Sequence, residues 1–171
     1  MKKIASLIAI SALTLGAASA QAQSLYGELA YQSLDLGMSS EPSVLRATIG
    51  HEYNANLAVE GVFGVGLSDG KDTAFGVPVK LKVDNIWGVY AKPKMKLAPA
   101  LEVFGRVGVA NLKATASATA GGFTAAESIN DTELSYGFGA TYSVTPRLSL
   151  SADFMKYDDV DALAFGVQFK F

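Results

Sequence analysis

The chain has 171 residues, with 14 Lys and Arg against 16 Asp and Glu and no cysteine. The lack of cysteine excludes a disulfide framework and a thiolate metal site. The small excess of acids argues against a nucleic-acid partner, because proteins that bind nucleic acid carry a basic surface.

The N-terminal segment, residues 1–22, has the three-part plan of a secretory signal peptide. Two lysines precede an apolar run that starts at Ile4, and small residues follow that run. The run is shorter than the about 20 residues that a membrane helix needs. We predict cleavage after Ala20 or Ala22 and an exported domain of residues 23–171. Without its two leading lysines the mature chain has 12 Lys and Arg against 16 Asp and Glu.

Beyond the signal peptide, apolar residues alternate with polar or small residues. This pattern is typical of β-strands, because successive side chains of a strand point to opposite faces. Glycine or a charged residue breaks every apolar run within a few positions, so no long helix is expected. The pattern predicts eight strands, over residues 25–34, 44–53, 57–67, 79–91, 100–112, 133–143, 148–156 and 162–171.

The two faces of the predicted strands differ in composition. One face carries no charge, and among its members are Leu29, Phe63, Val79, Leu81, Val83, Trp87, Phe138, Phe165 and Phe169. The other face combines Gly, Ser and Thr with charges of both signs, including Asp84, Glu133 and Lys170. Each strand therefore has one strongly apolar side and one small or polar side.

A soluble sandwich or lipocalin would bury the apolar face, and alternation alone permits that arrangement. Composition favours the inverse arrangement, with the apolar face outside and the polar face inside. Small residues suit the interior of an eight-stranded barrel, where only side chains fit, and large apolar residues suit contact with lipid. Closure would be required, because lipid offers no partner to an open strand edge. We therefore predict an all-β fold, an eight-stranded antiparallel up-and-down transmembrane β-barrel.

The lengths of the predicted connections support this interpretation. Three of them are short turns, at 54–56, 92–99 and 144–147. The three that alternate with these are longer, at 35–43, 68–78 and 113–132. Outer-membrane barrels combine short periplasmic turns with longer extracellular loops. Only the seventh connection, 157–161, is shorter than that rule suggests.

The mature chain resembles the small eight-stranded outer-membrane barrels of Gram-negative bacteria, the OmpA/OmpX-like and opacity-type group. The resemblance is carried by the signal peptide, the alternation, the aromatic at the end of the last strand, and the stretches AYQSLDLG, IGHEYNANLAVEGVFGVG and VYAKPKMKLAPALEVFGRVGVANLKA. It implies a monomer in the outer membrane. The surroundings would be outer-membrane lipid and lipopolysaccharide, and biogenesis would involve periplasmic chaperones and the barrel-assembly machinery.

The resemblance also assigns a role to the last aromatic residues. In the family, the C-terminal aromatic belongs to the signal that the assembly machinery reads, and here that signal falls on Phe171 and Phe169. A second interpretation places Phe171 in the aromatic girdle at the membrane interface. The two interpretations are compatible.

The predicted lumen contains charges of both signs, namely Glu28, Arg46, Glu52, Glu60, Lys80, Lys82, Glu102, Arg106 and Asp153. Paired carboxylates such as Glu52 and Glu60 are capable in principle of acid–base chemistry. The mixed signs favour a structural network instead, because buried charges need partners. Such a network would also fill the lumen, so a wide aqueous pore is not expected.

Candidate catalytic and metal-binding residues are scarce. His51 is the only histidine, and its same-face neighbours on a strand would be Ile49 and Tyr53, neither of which is a serine nucleophile. We interpret His51 as an interfacial residue near the periplasmic rim, while a serine on a neighbouring strand stays an open alternative. One histidine without cysteine makes no transition-metal site unless several carboxylates join it. We expect no catalytic residue, no metal and no cofactor.

Two local features need a structural explanation. Asn85 falls on the apolar face of the fourth strand, so either residues 79–85 project above the membrane or a bulge shifts the alternation there. The connection that includes 114–131 is rich in Ala, Thr, Ser and Gly and is expected to be an unpaired, mobile loop. Phe123 is its one large apolar side chain and the candidate surface contact.

The function expected from these features is that of a non-enzymatic outer-membrane barrel, which supports the envelope or makes adhesion-like surface contacts through extracellular loops. One alternative is an OmpW-like channel for hydrophobic solutes, which would need an apolar lumen that the predicted charges do not provide. A lipid-A-modifying enzyme and a soluble secreted ligand barrel are further alternatives. The sequence names no surface ligand.

Overall fold

The structure, a computed structural model, describes residues 25–74, 77–120 and 123–171. The predicted signal peptide and its cleavage sites lie outside these residues. The described strands are β1 (Leu25–Asp35), β2 (Ser43–Asn54), β3 (Leu57–Ser68), β4 (Gly70–Ala74), β5 (Val77–Ala98), β6 (Leu101–Ala120), β7 (Phe123–Ser143), β8 (Leu148–Tyr157) and β9 (Val160–Lys170). In the described part of the chain, no helix is long and apolar enough to cross a membrane.

The strands form a closed antiparallel barrel. Each strand of the ring pairs with its neighbours in the order β1, β2, β3, β5, β6, β7, β8, β9, and β9 pairs back to β1. The short strand β4 pairs with β5, is joined to Ser40 of the β1–β2 connection by one antiparallel bridge at Lys71, and continues the path of β3. The ring therefore has eight strands, and the predicted eight-stranded antiparallel up-and-down barrel is confirmed.

Both ends of the described chain lie at one end of the barrel, which we call the terminal end. Leu25 is opposite His51, and Tyr26 is opposite Lys170. The turns that follow β2, β5 and β7 lie at the same end, because consecutive strands run in opposite directions. The opposite end, which we call the far end, carries the 36–42 connection and the turn after Tyr157.

The predicted apolar face is the outer face of the barrel. Large apolar side chains on it are exposed to the surroundings, for example Leu29 at 60%, Phe63 at 55%, Phe138 at 67% and Phe165 at 58%. Charged side chains of the opposite parity are almost fully buried inside, including Glu60 at 0% and Arg106 at 2%. This inversion is the arrangement that a lipid environment requires.

Three strands are about twice as long as the membrane requires, which corrects several predicted connections. β5, β6 and β7 have 22, 20 and 21 residues, whereas a transmembrane strand needs about 9–11. Residues 113–120 and 123–132 form paired antiparallel strands, which we call the 113–132 hairpin and in which Ala114 pairs with Ile129, so the prediction of an unpaired loop is wrong. Strand structure also occupies most of 68–78 and of 92–99, where β5 continues through Pro93 to Ala98.

A bulge in β5 corrects the assignment of its first residues. The register with β6 shifts between Val83 and Asn85, so the alternation changes phase there. Val83 is 1% exposed inside, and Lys82 has 64% of its side chain exposed. Val79, Leu81 and Val83 therefore belong to the inner face, and the prediction that Lys80 and Lys82 lie in the lumen is wrong. One of the two explanations proposed for Asn85, a bulge, is present next to it. Asn85 nevertheless stays opposite Val65 on the outer face, so the bulge changes the facing of the residues before it and not that of Asn85.

Candidate functional site: the barrel interior and the protruding sheet

The middle of the barrel interior holds three acids and three bases in one ionic cluster. Arg46 binds Asp153 through both oxygens, at 2.9 and 2.5 Å, and Glu28 at 3.1 Å. Arg106 contacts Glu60 at 2.5 Å, Asp153 at 2.9 Å and Glu28 at 3.6 Å. Because each arginine contacts two or more carboxylates from different strands, the cluster ties together β1, β2, β3, β6 and β8.

Lys92 completes this ionic cluster from β5. Its Nζ lies 2.9 Å from Glu60 Oε1, and it also stands 4.1 Å from the centre of the Phe104 ring. The Tyr26 hydroxyl donates to the same Glu60 oxygen at 2.5 Å. Lys92, Arg46 and Arg106 balance Glu28, Glu60 and Asp153 in formal charge. Neutrality and dense pairing are what allow six charges to be buried in a narrow lumen.

A second, smaller ionic layer lies closer to the terminal end. Glu52 accepts from Lys94 at 2.5 Å and from Lys170 at 2.9 Å. Glu102 stands 3.5 Å from Lys94. This layer of two acids and two bases is also neutral, and it is more exposed than the ionic cluster, with side-chain exposures of 5% to 33%. It lies between the ionic cluster and the surroundings at that end.

The far half of the interior is apolar. A cluster of buried side chains fills it, namely Leu34, Val44, Val62, Val83, Ile86, Tyr90, Ala110, Met155, Tyr157 and Ala162. Gln32 joins this apolar cluster to the ionic cluster, because it accepts from Arg46 at 3.3 Å and donates to Tyr157 at 3.2 Å. The expectation that the lumen lacks an apolar part is therefore wrong for this half, but the apolar residues are packed as a core.

The structure brings together seven of the nine predicted lumen charges. Five belong to the ionic cluster, and Glu52 and Glu102 belong to the terminal layer. Sequence reasoning missed Lys92 and Lys94, because Pro93 and Pro99 suggested a turn over 92–99. The sequence did contain a usable pattern, because Tyr90, Lys92 and Lys94 occupy alternate positions and would share the inner face if the strand continued. It also missed Tyr26 and Phe104, whose buried rings look lipid-facing by type alone.

At the far end, a four-stranded sheet extends beyond the ring. We call it the protruding sheet and define it as residues 70–74, 77–83, 113–120 and 123–132. Its outer face is polar, with Lys71 directly opposite Lys80 and with Lys82 opposite Thr115. Its inner face carries Leu81, Ala114 and Ile129 together with the acids Glu127 and Asp131, and Ile129 is 49% exposed. β7 pairs with β8 only from Ser135 onward, so the stretch 123–134 forms an edge of the sheet in the described structure.

The remaining candidate residues lie outside the interior. His51 is on the outer face near the terminal end, opposite Leu25 and Val59 and three residues before Asn54, the last paired residue of β2. Phe171 is 61% exposed and packs edge-on against Phe169 at 5.7 Å. The backbone of Phe123 pairs with Ala120, and its side chain lies outside what the structure describes. Within the described ranges, no group of three His, Cys, Asp or Glu side chains is arranged to hold a metal ion.

Solved structures with a similar fold are small barrels of low sequence identity. Neisserial surface protein A has a TM-score of 0.57 at 18% identity, covering 90% of this chain and 100% of its own. Ail, the attachment invasion locus protein of Yersinia pestis, has 0.54 at 18%, covering 87% and 97%. A de novo designed transmembrane β-barrel has 0.59 at 15%, covering 90% and 100%. Comparison with curated proteins gave no significant match.

The family comparison covers nearly the whole chain. The model described as the outer membrane protein beta-barrel domain matches residues 5–171. Its match agrees with the closed ring and the apolar outer face. The chain therefore belongs to the outer membrane protein β-barrel domain family, whose place is the outer membrane of Gram-negative bacteria.

Proposed function

We propose that this protein is a non-enzymatic outer-membrane barrel that presents the protruding sheet outside the cell for contact with surface partners. The observation that carries the proposal is the length of β5, β6 and β7, which have 20 to 22 residues and stay paired beyond the ring. Paired strands hold a surface in a fixed shape. The far end faces the exterior, as in outer-membrane barrels with short periplasmic turns.

The edge formed by 123–134 is the contact surface. The outward-pointing backbone groups of an edge strand are free to pair with a strand of another protein. Glu127, Ile129, Asp131 and Glu133 share the inner face at this edge, by the regular register with β6. A partner segment that alternates basic and apolar residues would match this pattern in charge and in hydrophobicity.

Lipopolysaccharide is the proposed partner of the outer face of the protruding sheet. Lys71 and Lys80 are directly opposite each other on this face, and like charges in that position repel unless an anion lies between them. Lys82 is on the same side, with Asp84 3.6 Å away. The structural neighbour Ail has been solved in complex with the heparin analogue sucrose octasulfate, a polyanion. A Lys71→Gln/Lys80→Gln variant that loses its co-purified lipopolysaccharide would support this contact, provided that the control variant Lys156→Gln keeps its own.

The filled interior argues against the alternative of a channel for hydrophobic solutes. The side chains of the apolar cluster are between 0% and 7% exposed, so they occupy the space that a solute would need. The ionic cluster fills the middle of the barrel. The interior therefore supports a structural role.

The test uses one substitution at the edge. In β7, Ser143 N–H donates to the carbonyl of Ala100 in the β5–β6 turn. Because backbone groups alternate sides along a regular strand, the N–H groups of odd-numbered residues point to β6. The N–H of Ala126 therefore points to the open edge. Ala126→Pro removes a donor from the edge alone, and Ala126→Thr is the matched control. We expect Ala126→Pro to reduce attachment of expressing cells to surfaces or host cells while the barrel folds normally. Equal attachment by both variants and the unchanged protein would contradict the proposal.

The orientation is tested separately. Protease added to whole cells is expected to cleave within the 113–132 hairpin and to spare the turn at 54–56. The opposite result would place the protruding sheet in the periplasm and would overturn the proposed surface role.

A further inference from the structure

Pro93 interrupts the hydrogen-bond ladder in the wall of the barrel. Lys94 N–H donates to Asn56 O at 2.9 Å, and Asn56 Nδ2 donates to Lys94 O at 3.3 Å. The backbone groups of Lys94 therefore face β3. Neighbouring residues of a strand point their backbone groups to opposite sides, so those of Pro93 face β6.

Gly105 is the residue whose carbonyl lacks a hydrogen-bond donor. The register on both sides, Ala91 with Val107 and Lys94 with Phe104, places Gly105 opposite Pro93. Proline has no N–H, so the Gly105 carbonyl receives no ladder bond from this position. An unpaired wall position is costly in hydrocarbon, and proline is therefore uncommon in a strand paired on both sides.

A groove on the outer face covers this position. It has a volume of about 470 Å³ and is bounded by Pro93, Met95, Val103 and Phe138, with Gly105 at its floor. Met95 is 54% exposed and Phe138 is 67% exposed, which places the groove on the lipid side. A Cβ at Gly105 would approach Pro93 Cγ at 3.6 Å and Gly137 O at 3.7 Å. The absent side chain of Gly105 is thus the reason that the groove is open.

We propose that this groove binds one acyl chain of a phospholipid in the leaflet at the terminal end. Gly105 lies four residues after the start of β6 at Leu101, which is about 13 Å along a strand and within the hydrocarbon region of that leaflet. The groove is lined mainly by apolar groups, and it is shallow and open towards the lipid, so one extended chain can lie along it. A chain held between Met95 and Phe138 gains contacts on two sides.

The occupied groove shields the interrupted ladder position. The acyl chain covers the β5–β6 seam at Pro93, directly outside the ionic cluster to which Lys92 and Arg106 belong. The site is independent of the protruding sheet and of any surface partner, because it lies near the other end of the barrel.

The experiment uses the full-length mature barrel in vesicles of phosphatidylethanolamine and phosphatidylglycerol that contain a phospholipid with a photoreactive acyl chain. Gly105→Leu fills the groove. Gly61→Leu is the matched control, because Gly61 is an exposed strand glycine whose added Cβ would meet nothing within 4 Å. After irradiation, peptide mass spectrometry locates the cross-links, and the shift in gel mobility on heating confirms that each variant is folded.

We expect cross-links to concentrate on Met95, Val103 and Phe138, to fall at least fivefold in Gly105→Leu and to persist in Gly61→Leu. If Gly105→Leu does not fold, Met95→Ala serves instead, because it removes one wall and should also lower the yield. Cross-links spread evenly over the outer face, or an unchanged yield in a folded groove variant, would show contact with bulk lipid only and would overturn the proposal.

Discussion

Arg106 shows how a single buried side chain can organise the interior of a barrel. It contacts carboxylates of β1, β3 and β8, and its guanidinium stands 4.8 Å from the centre of the Phe104 ring. A planar, permanently charged group with several donors suits this position better than a lysine would. Removal of Arg106 would leave its carboxylate partners with a net negative charge in a site that excludes water.

Arg106→Ala is therefore expected to lower the free energy of unfolding by about 3–5 kcal/mol, the usual effect of breaking one side of a buried ion pair. Lys82→Ala is the control, because Lys82 is exposed in its ion pair with Asp84 and such pairs contribute about 0–1 kcal/mol. The measurement is urea unfolding of the refolded barrel in lipid vesicles. A similar decrease in the free energy of unfolding for both variants would mean that the buried ionic cluster stabilises the barrel no more than an exposed ion pair does.

Phe171 is expected to act during assembly more than in the folded state. Its ring is 61% exposed and lies beyond the last residue of β9, although its N–H bonds to Leu25 O at 3.1 Å. Phe171→Asp should slow insertion into the outer membrane in cells and leave the urea midpoint of the refolded barrel almost unchanged. Tyr53→Asp, which changes another exposed aromatic at the terminal end, is the control. Equal slowing by both would argue against a specific signal.

At the scale of whole strands, the far half of β7 is paired with β6 on one side and is unpaired on the other. Odd-numbered residues of β7 direct their N–H groups to β6, and even-numbered ones direct theirs away from it. Over 123–134 no β8 residue pairs with β7. The two sets of amides in this stretch therefore have different access to water.

Hydrogen exchange should alternate along this segment. We expect slow exchange for the amides of Glu127, Ile129 and Asp131 and fast exchange for those of Ser128 and Asn130, since only the first set is hydrogen-bonded within the sheet. Nuclear magnetic resonance of the barrel in lipid nanodiscs can resolve the two sets. Uniformly fast exchange over 125–133 would restore the unpaired loop that the sequence suggested.

Sequence patterns predicted the strands well where one face meets lipid and the other meets the lumen. β1, β2, β8 and β9 differ from their predicted bounds by no more than two residues, because the surroundings impose a strict alternation there. The hairpin at 113–132 could not be predicted in this way. Ala114, Ala116 and Ala118 do alternate with Thr115, Ser117 and Thr119, but all of these side chains are small, so the contrast in hydrophobicity is weak. In the second strand Ile129 shares its face with Glu127 and Asp131, so no apolar face is recognisable there and only cross-strand pairing defines the strands.

The two errors in β5 have local physical causes. The bulge at Asp84 inverts the facing of every earlier residue in that strand, and a period-two pattern gives no sign of where one extra residue is inserted. At the other end, Pro93 looks like the start of a turn because proline rarely occupies a paired strand. Lys92 and Lys94 were missed for that reason, and with them two of the bases that neutralise Glu60 and Glu52.

At the scale of the whole molecule, closure determines how the protein resists unfolding. Every strand of the ring is paired on both sides, so no edge is available within the membrane from which unfolding can begin. We expect the protein to keep its fold in sodium dodecyl sulfate at room temperature and to change apparent size on a gel after boiling. A single band position under both conditions would contradict a closed barrel.

The interior is closed twice, by chemically different means. The ionic cluster blocks the middle of the lumen, and the apolar cluster blocks its far half. An ion would have to displace paired charges and then enter an apolar region that cannot solvate it. Removal of one barrier alone should therefore leave the other intact, so the two barriers act in series.

Planar-bilayer recordings can test this series arrangement. We expect no stable open current from the unchanged protein, from Glu60→Ala/Arg106→Ala, which removes one acid and one base, or from Ile86→Ala/Met155→Ala, which opens the apolar cluster. The combined four-residue variant should conduct, because both barriers are then weakened and the layer left at the terminal end is the more exposed, hydrated one. Current through Glu60→Ala/Arg106→Ala alone would show that the apolar cluster is not a barrier, and current through the unchanged protein would mean that the lumen is a pore.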